Sequence, residues 1–300
     1  MIFFYILLEI TIQMFYTKQE HKRKRGNIMP ITADFHMHSN FSGDSDAPME
    51  AMIQKGIELG LTHMCFTEHQ DLDFPICDEV PAGKFEVNAD AYLYDLLIYR
   101  DKYKDKINIL FGVELGLQPH IARENAIFAK AHDYDFIIGS SHICNKKDPY
   151  FPAFYEGRSE EEAYCEYFQS IIDNIKKFQN FDVYGHLDYV VRYGPNKDAD
   201  YTYTKYQDLL DKILELLIDN GKGIEINTGG VVKGLKELHP CTDIIKRYKD
   251  LGGEIITIGS DAHKPEDIYR HFNRAEEVLK ECGFKYYTIF EKRIPEFKKL

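Results

Sequence analysis

Two histidines one residue apart, His36 and His38 in Ala33-Asp34-Phe35-His36-Met37-His38-Ser39, close a short apolar run. Side chains alternate along a strand with period 2, so both imidazoles can face one side and reach one metal ion. An isolated HxH pair is weak, because two polar residues at a strand end need no metal. Its weight comes from recurrence: Glu68-His69, Glu114, His142, His186 and Ser260-Asp261-Ala262-His263 close apolar runs in the same way. Imidazole and carboxylate together suit zinc, manganese or iron, whereas an all-oxygen set would favour magnesium or calcium. The donors are too numerous for one tetrahedral ion, so they predict a cluster of two or three divalent ions, in which Glu114 could bridge a pair through its two oxygens. Water held between such ions would ionise near neutral pH.

Donors so far apart in sequence need a repeating scaffold to bring them together. Strand-like runs at 31–36, 62–67, 108–113, 136–139, 181–186, 223–227 and 254–259 alternate with helical patterns at 47–60, 89–104, 121–132, 159–179, 202–220, 241–251 and 265–282. Asp46, Ser159 and Thr242 are cap candidates for three of these helices. Seven strand–helix units without a low-complexity linker predict an α/β fold, a closed or nearly closed (β/α)7 barrel of parallel strands spanning residues 29–300 as one domain. Functional groups of such barrels sit at the C-terminal ends of the strands, where every donor above falls. Two longer connections, 70–88 and 143–158, contain prolines and aromatic residues and are expected to wall the site. The tail from Phe284 reads as a final strand or strap outside the repeat.

Composition narrows the partners. A net charge of −12 argues against a nucleic-acid or anionic-membrane surface, so an anionic substrate must be met by local cations or metal. The six cysteines, Cys65, Cys77, Cys144, Cys165, Cys241 and Cys282, form no CxxC pair and suit reduced thiols in a cytoplasmic protein. His21, His63, His120, His132, His239 and His271 lie away from the run ends and read as structural or surface groups. Residues 1–28 combine an aromatic-rich apolar run, interrupted by Glu9 and Gln13, with the basic tract His21-Lys22-Arg23-Lys24-Arg25. The run is short for a membrane span, and its basic residues follow it, the reverse of a signal peptide. It is expected to be a leader outside the fold, with a peripheral membrane anchor as the alternative and no stable membrane association.

Taken in order over most of residues 31–270, the HxH pair, Thr67-Glu68-His69, Gly112-Val113-Glu114-Leu115, Gly139-Ser140-Ser141-His142, Tyr184-Gly185-His186 and Gly259-Ser260-Asp261-Ala262-His263 resemble the polymerase and histidinol phosphatase (PHP) superfamily of metal-dependent phosphoesterases. The resemblance implies a distorted seven-stranded barrel with a trinuclear site. On that pattern His36, His38, Glu114 and Asp261 would hold one ion, Asp44, His69 and His263 a second, and Glu114, His142 and His186 a third. Asp44 departs from the histidine common at its position, and Ser42-Gly43-Asp44-Ser45 would also make a good turn. Glu68 is expected on the opposite strand face as a structural group.

Gly185-His186-Leu187-Asp188-Tyr189-Val190-Val191-Arg192-Tyr193 and Tyr155-Glu156-Gly157-Arg158 resemble the segments that supply phosphate-binding arginines in histidinol-phosphate phosphatases of this superfamily. Arg158 and Arg192 would then clamp the phosphate, a task suited to the planar guanidinium. The activity implied is hydrolysis of L-histidinol phosphate, a small-molecule phosphomonoester, by metal-activated hydroxide; the alternative is another small phosphomonoester or a nucleotide. Asp261 or His263 is expected to donate the proton to the leaving alcohol. Asn227 could hydrogen-bond the substrate, and Glu225 could pair with a cationic amine. A noncatalytic metal-binding or polymerase-accessory barrel fits less well, since the donor set is complete and no basic face is evident. Oligomeric state is left open.

Overall fold

Parallel strands buried on both faces are nearly continuous apolar runs, and that is how this chain builds its centre. In the computed structural model, which describes residues 31–300, the strands are β1 (Ala33–Asp34), β2 (His63–Gln70), β3 (Asn108–Gly116), β4 (Phe136–Ser140), β5 (Val183–Tyr184), β6 (Gly223–Asn227) and β7 (Ile256–Gly259). They form one sheet in sequential order, every pair parallel. Phe35 N–H donates to the Ile258 carbonyl at 2.9 Å and Asp261 N–H to that of His36 at 2.8 Å, so the last strand returns to the first and the (β/α)7 barrel closes. The expectations for residues 1–28 lie outside the described residues. Among the described residues, no helix is long and apolar enough to cross a membrane, and all six cysteines are unpaired.

Two strands are much shorter than their apolar runs because side chains take over backbone pairing. Asp34 accepts the Ser260 N–H at 3.0 Å, and Asp182 accepts the Ile137 N–H at 2.8 Å. The helices between strands are α1 (Met49–Leu59), α2 (Ala89–Tyr103), α3 (Ala122–Ala131), α4 (Glu160–Lys177), α5 (Gln207–Asp219), the single turn α6 (Gly229–Val232), α7 (Thr242–Asp250) and α8 (Phe272–Glu281). Of the three cap candidates only Ser159 caps. Its Oγ accepts the Glu162 N–H while the Glu162 carboxylate accepts the Ser159 N–H, a reciprocal capping box. Pro48 rather than Asp46 precedes α1, and Thr242 is already inside α7, its N–H and hydroxyl both given to Glu237. The last helix begins at Phe272 because Pro265–Asp267 form a 3-10 turn and His271 adopts φ +60°.

Phe35 of the β1 segment meets Phe136 of β4 edge-on at 5.2 Å across the barrel, since β1 and β4 are not neighbours in the sheet. Phe136 in turn meets Phe290, at 5.1 Å, from the terminal hairpin β8 (Tyr286–Glu291) and β9 (Ile294–Lys299). The expected strap is thus a hairpin against the end of the barrel where the strands begin. Arg293 at its turn donates its N–H to the Asp135 carbonyl at 2.9 Å and its Nε to Asp182 at 2.5 Å. Removing that guanidinium strands a largely buried carboxylate. Arg293→Ala should lower unfolding free energy by about 2–3 kcal/mol in urea titrations, with activity per folded molecule retained because the candidate site lies at the other end; a stability equal to wild type would show that Asp182 needs no partner.

Candidate metal centre

Parallel register sets His69 of β2 directly beside Glu114 of β3. The remaining donors arrive from strand ends: His36 and His38 after β1, His142 after β4, His186 after β5, Asp261 and His263 after β7. Glu114 is fully buried at the centre. Its Oε1 lies 2.8 Å from His186 Nε2 and 3.1 Å from His142 Nε2, and its Oε2 lies 3.0 Å from His69 Nδ1 and 3.3 Å from His36 Nε2. His36 and His38 bring their Nε2 atoms within 3.1 Å of each other, with Asp261 Oδ1 3.7 and 3.5 Å away. Asp44, on the loop after β1, stands 3.1 Å from His263 Nε2 and 3.6 Å from His69 Nε2. All nine expected ligands therefore converge on one pit.

Most of the imidazoles are aimed by a bond at their far nitrogen. His36 Nδ1 meets Glu225 at 2.6 Å, His38 Nδ1 meets Ser42 Oγ at 3.0 Å, His142 Nδ1 meets Asp71 at 2.7 Å, and His263 Nδ1 meets the Asp261 carbonyl at 2.9 Å. Such a bond selects the tautomer that turns Nε2 inward, as metal-binding histidines require. Gly259 permits the His36–Glu225 contact, because a Cβ there would overlap both His36 Cβ and Glu225 Oε1. Glu68 accepts bonds from Ser39 and Ser42 instead of facing the pit, consistent with its expected structural role.

These donors fit divalent cations. Three groups, His36/His38/Glu114, His38/His69/His263 and His69/Glu114/His142, bring ligand atoms within 4.8 Å of one another. Glu114 Oε2 and His69 Nδ1, 3.0 Å apart, are buried without a hydrogen-bond partner, an arrangement that is costly without a cation between them. Protons partly take the role of cations when no ion is bound. Burial pushes His36, His69 and His142 down, but neighbouring carboxylates outweigh it and hold all three above the ordinary histidine value, His142 at about 10. Burial likewise pushes Glu114 up, but His36, His142 and His69 hold it well below the usual carboxylate range. His38 goes the other way, pushed down to about 3 by burial and by His69 and His263.

A cavity of about 480 Å³ opens over the cluster. Both long connections wall it as expected, the first through Asp71, Phe74, Val80 and Phe85, the second through Asp148, Tyr150 and Phe151. Arg192 lines it, buried, with its guanidinium 3.2 Å from Asp261 Oδ2 and 5.2 Å from the centroid of the Tyr189 ring. Arg158 is not among the residues that line it: its guanidinium pairs with Glu166 and donates to the Phe154 carbonyl. Asn227 is placed away from the cavity as well. It is wholly buried behind His36, donating to Glu225 Oε2 at 3.2 Å and accepting the Gly229 N–H at 2.9 Å. Glu225 serves His36 and the His186 N–H rather than the cavity. Asp71 is a group the motifs did not single out; the extension of β2 to Gln70 is what delivers it under His142.

A closed parallel barrel with a buried imidazole–carboxylate cluster at the C-terminal rim defines a metal-dependent barrel hydrolase. The chain belongs to the PHP domain family, whose model matches residues 34–229. It is 33% identical to the histidinol-phosphatase of Lactococcus lactis subsp. lactis, over 86% of this chain and 93% of that protein, and 31% identical to the probable histidinol-phosphatase of Clostridium acetobutylicum, over 88% and 98%. The crystal structure of histidinol phosphate phosphatase from Lactococcus lactis complexed with zinc, L-histidinol and phosphate matches with a TM-score of 0.79 and 31% identity, over 88% of this chain and 98% of that one.

The raised histidines give a signed prediction. Groups held above their ordinary pKa carry protons at neutral pH in the metal-free protein, and ligation must expel them. Zinc or manganese added to chelator-stripped protein in weak buffer should acidify the solution, and apparent affinity should fall as pH is lowered; pH-independent binding would contradict the cluster. Glu225→Gln should weaken metal retention by about 10–100-fold while the fold persists, read by elemental analysis beside circular dichroism.

Proposed function

We propose that this chain hydrolyses L-histidinol phosphate to L-histidinol and inorganic phosphate, a reaction of histidine biosynthesis. The observation that carries the reading is the convergence of nine imidazole and carboxylate groups beside a buried arginine. A relative matching almost end to end, whose structure holds zinc, L-histidinol and phosphate, supports the substrate. The ligand sets we assign are His36, His38, Glu114 and Asp261; Asp44, His69 and His263; and Glu114, His142 and His186. Bound divalent ions supply Lewis acidity, lowering the pKa of water and offsetting phosphoryl charge.

The chain's own groups do the rest. Arg192, held by Asp261 and stacked near Tyr189, offers its guanidinium to phosphate oxygens at the cavity wall, and its buried Nε has no partner within the protein. Its pairing becomes most favourable as negative charge gathers on those oxygens during P–O cleavage. Asp261 spans the two halves of the site, Oδ1 toward His36 and His38 and Oδ2 toward Arg192. As the new P–O bond forms and the ester bond breaks, the attacking water loses a proton and the leaving alkoxide gains one. We assign Asp261 to relay it between the two sides, from a resting carboxylate that burial pushes up but that His36, His38 and Arg192 hold well below the usual range. His263 is less suited, because Nδ1 is tied to the Asp261 carbonyl and Nε2 faces Asp44. His36, His38, Glu114 and His186 lie buried beneath this exchange, while Asp44 and His263 face the open cavity through which substrate and water reach it.

Purified protein should turn over L-histidinol phosphate with a higher kcat/KM than nucleoside monophosphates or a generic aryl phosphate, whereas a profile favouring nucleotides or aryl ester would move the activity to another small phosphomonoester. Arg192→Ala should lower kcat/KM on the order of a hundredfold with metal content retained, from loss of a charge-assisted contact. Arg158→Ala should change it by less than about threefold, as expected of a loop ion pair; equal losses in the two variants would restore Arg158 to the phosphate site.

A further inference from the structure

The cavity wall carries more carboxylates than the metal cluster uses, and nearly all of them already have a cationic or imidazole partner. Asp44 meets His69 and His263, Asp71 meets His142, Asp261 meets Arg192, and Asp267 meets Arg270. Glu79 is exposed at the rim. Asp148 differs. It is 9% exposed, it lines the cavity, and among the described residues no lysine, arginine or histidine nitrogen lies within 4.0 Å of it. One oxygen accepts the Tyr150 N–H at 2.7 Å, which orients the group within the loop after β4.

We infer that Asp148 receives the cationic end of the substrate and thereby selects phosphomonoesters bearing a protonated amine or imidazolium over neutral ones. The surroundings suit that task. Tyr150, Tyr189 and Tyr193 line the same cavity, with Tyr150 and Tyr189 each about 5 Å, centroid to centroid, from the Tyr193 ring, at 5.3 and 5.1 Å. Ring faces attract cations, and ring edges border a flat imidazole well. Tyr189 also stands 5.5 Å from His142 and 5.0 Å from His186, so this wall adjoins the place where the phosphate must sit. A small molecule with an anion at one end and a cation at the other would span from Arg192 and the cluster to Asp148. Burial pushes the Asp148 carboxyl up to about 6, offset only in part by the Tyr150 N–H and by His142, and a cation arriving beside it would favour its ionised form.

The inference rests on the site being a phosphomonoesterase, and the test separates the two. In metal-loaded full-length protein, kcat/KM is measured for L-histidinol phosphate and phosphoethanolamine, whose alcohol portions carry a cationic amine, and for 4-nitrophenyl phosphate, whose aryl portion carries no charge. Asp148→Asn should lower the cationic-to-neutral ratio by about tenfold or more, mainly through KM, the effect of losing one desolvated charge contact; Asp148→Glu should recover part of it. Because a ratio is read, partial loss of folded protein does not imitate the effect. Should the variants fail to fold, wild-type protein decides: L-histidinol should inhibit 4-nitrophenyl phosphate turnover far better than an uncharged alcohol of similar size. A ratio unmoved in Asp148→Asn, equal losses for both ester classes, or no wild-type preference for cations overturns the inference. If phosphoethanolamine shows the Asp148 dependence while L-histidinol phosphate is not hydrolysed, the proposed substrate falls and the role of Asp148 stands.

Discussion

Glu114 is the constraint from which the rest of this structure follows. A fully buried carboxylate is costly unless compensated, and here the compensation comes from His36, His69, His142 and His186, each delivered by a different strand or strand end. No single element could assemble that set. Only a closed parallel sheet brings strand ends distant in sequence around one point while pairing every backbone group between them. The barrel is thus both the source of the desolvation problem and the means of solving it.

Solving it also requires that the imidazoles be fixed before any cation arrives. Glu225, Ser42, Asp71 and the Asp261 carbonyl each bind the outer nitrogen of one histidine. Asn227 steadies Glu225 in turn and holds the first N–H of the turn that follows β6. The result is a layered polar network in which an error in an outer member propagates inward, because the outer bond of each of these four imidazoles fixes where its inner nitrogen points. The absence of a side chain at Gly259 belongs to the same network, since the strand end must pass close to His36 and Glu225.

The inner layer was legible in the sequence, and the outer layer much less so. Residues that end apolar runs, such as His69 and Glu114, declare both their strand and their position on it, because period-2 alternation and parallel register together fix which side chains meet. The terminal strap was likewise visible as an apolar segment left over from the repeat. Asp71 and Asp148 were not, since their partners depend on how far β2 extends and on the path of an irregular loop, neither of which alternation encodes. Arg158 and Asn227 show the opposite case, a side chain placed away from the cavity. Both lie near the right rim in sequence, but the guanidinium of Arg158 found Glu166 on the next helix, and Asn227 turned behind His36 instead of into the cavity. Short local motifs identify a neighbourhood; a side chain's direction is settled by competing partners within it.

Charge distribution explains why the loops rather than the barrel must confer selectivity. The chain carries a net charge of −12, so a phosphomonoester dianion is not drawn in by the protein as a whole. Screening confines electrostatic influence to roughly 8 Å at physiological ionic strength, leaving the approach to the groups at the mouth. There Lys84 comes from the connection after β2, Lys233 from the turn after α6 and Lys264 from the segment after β7, with Arg192 deeper within. These cations and Asp148 face one cavity from different connections. The barrel can therefore keep its cluster and its phosphate chemistry while the loops alone change which alcohol is attached to the phosphate.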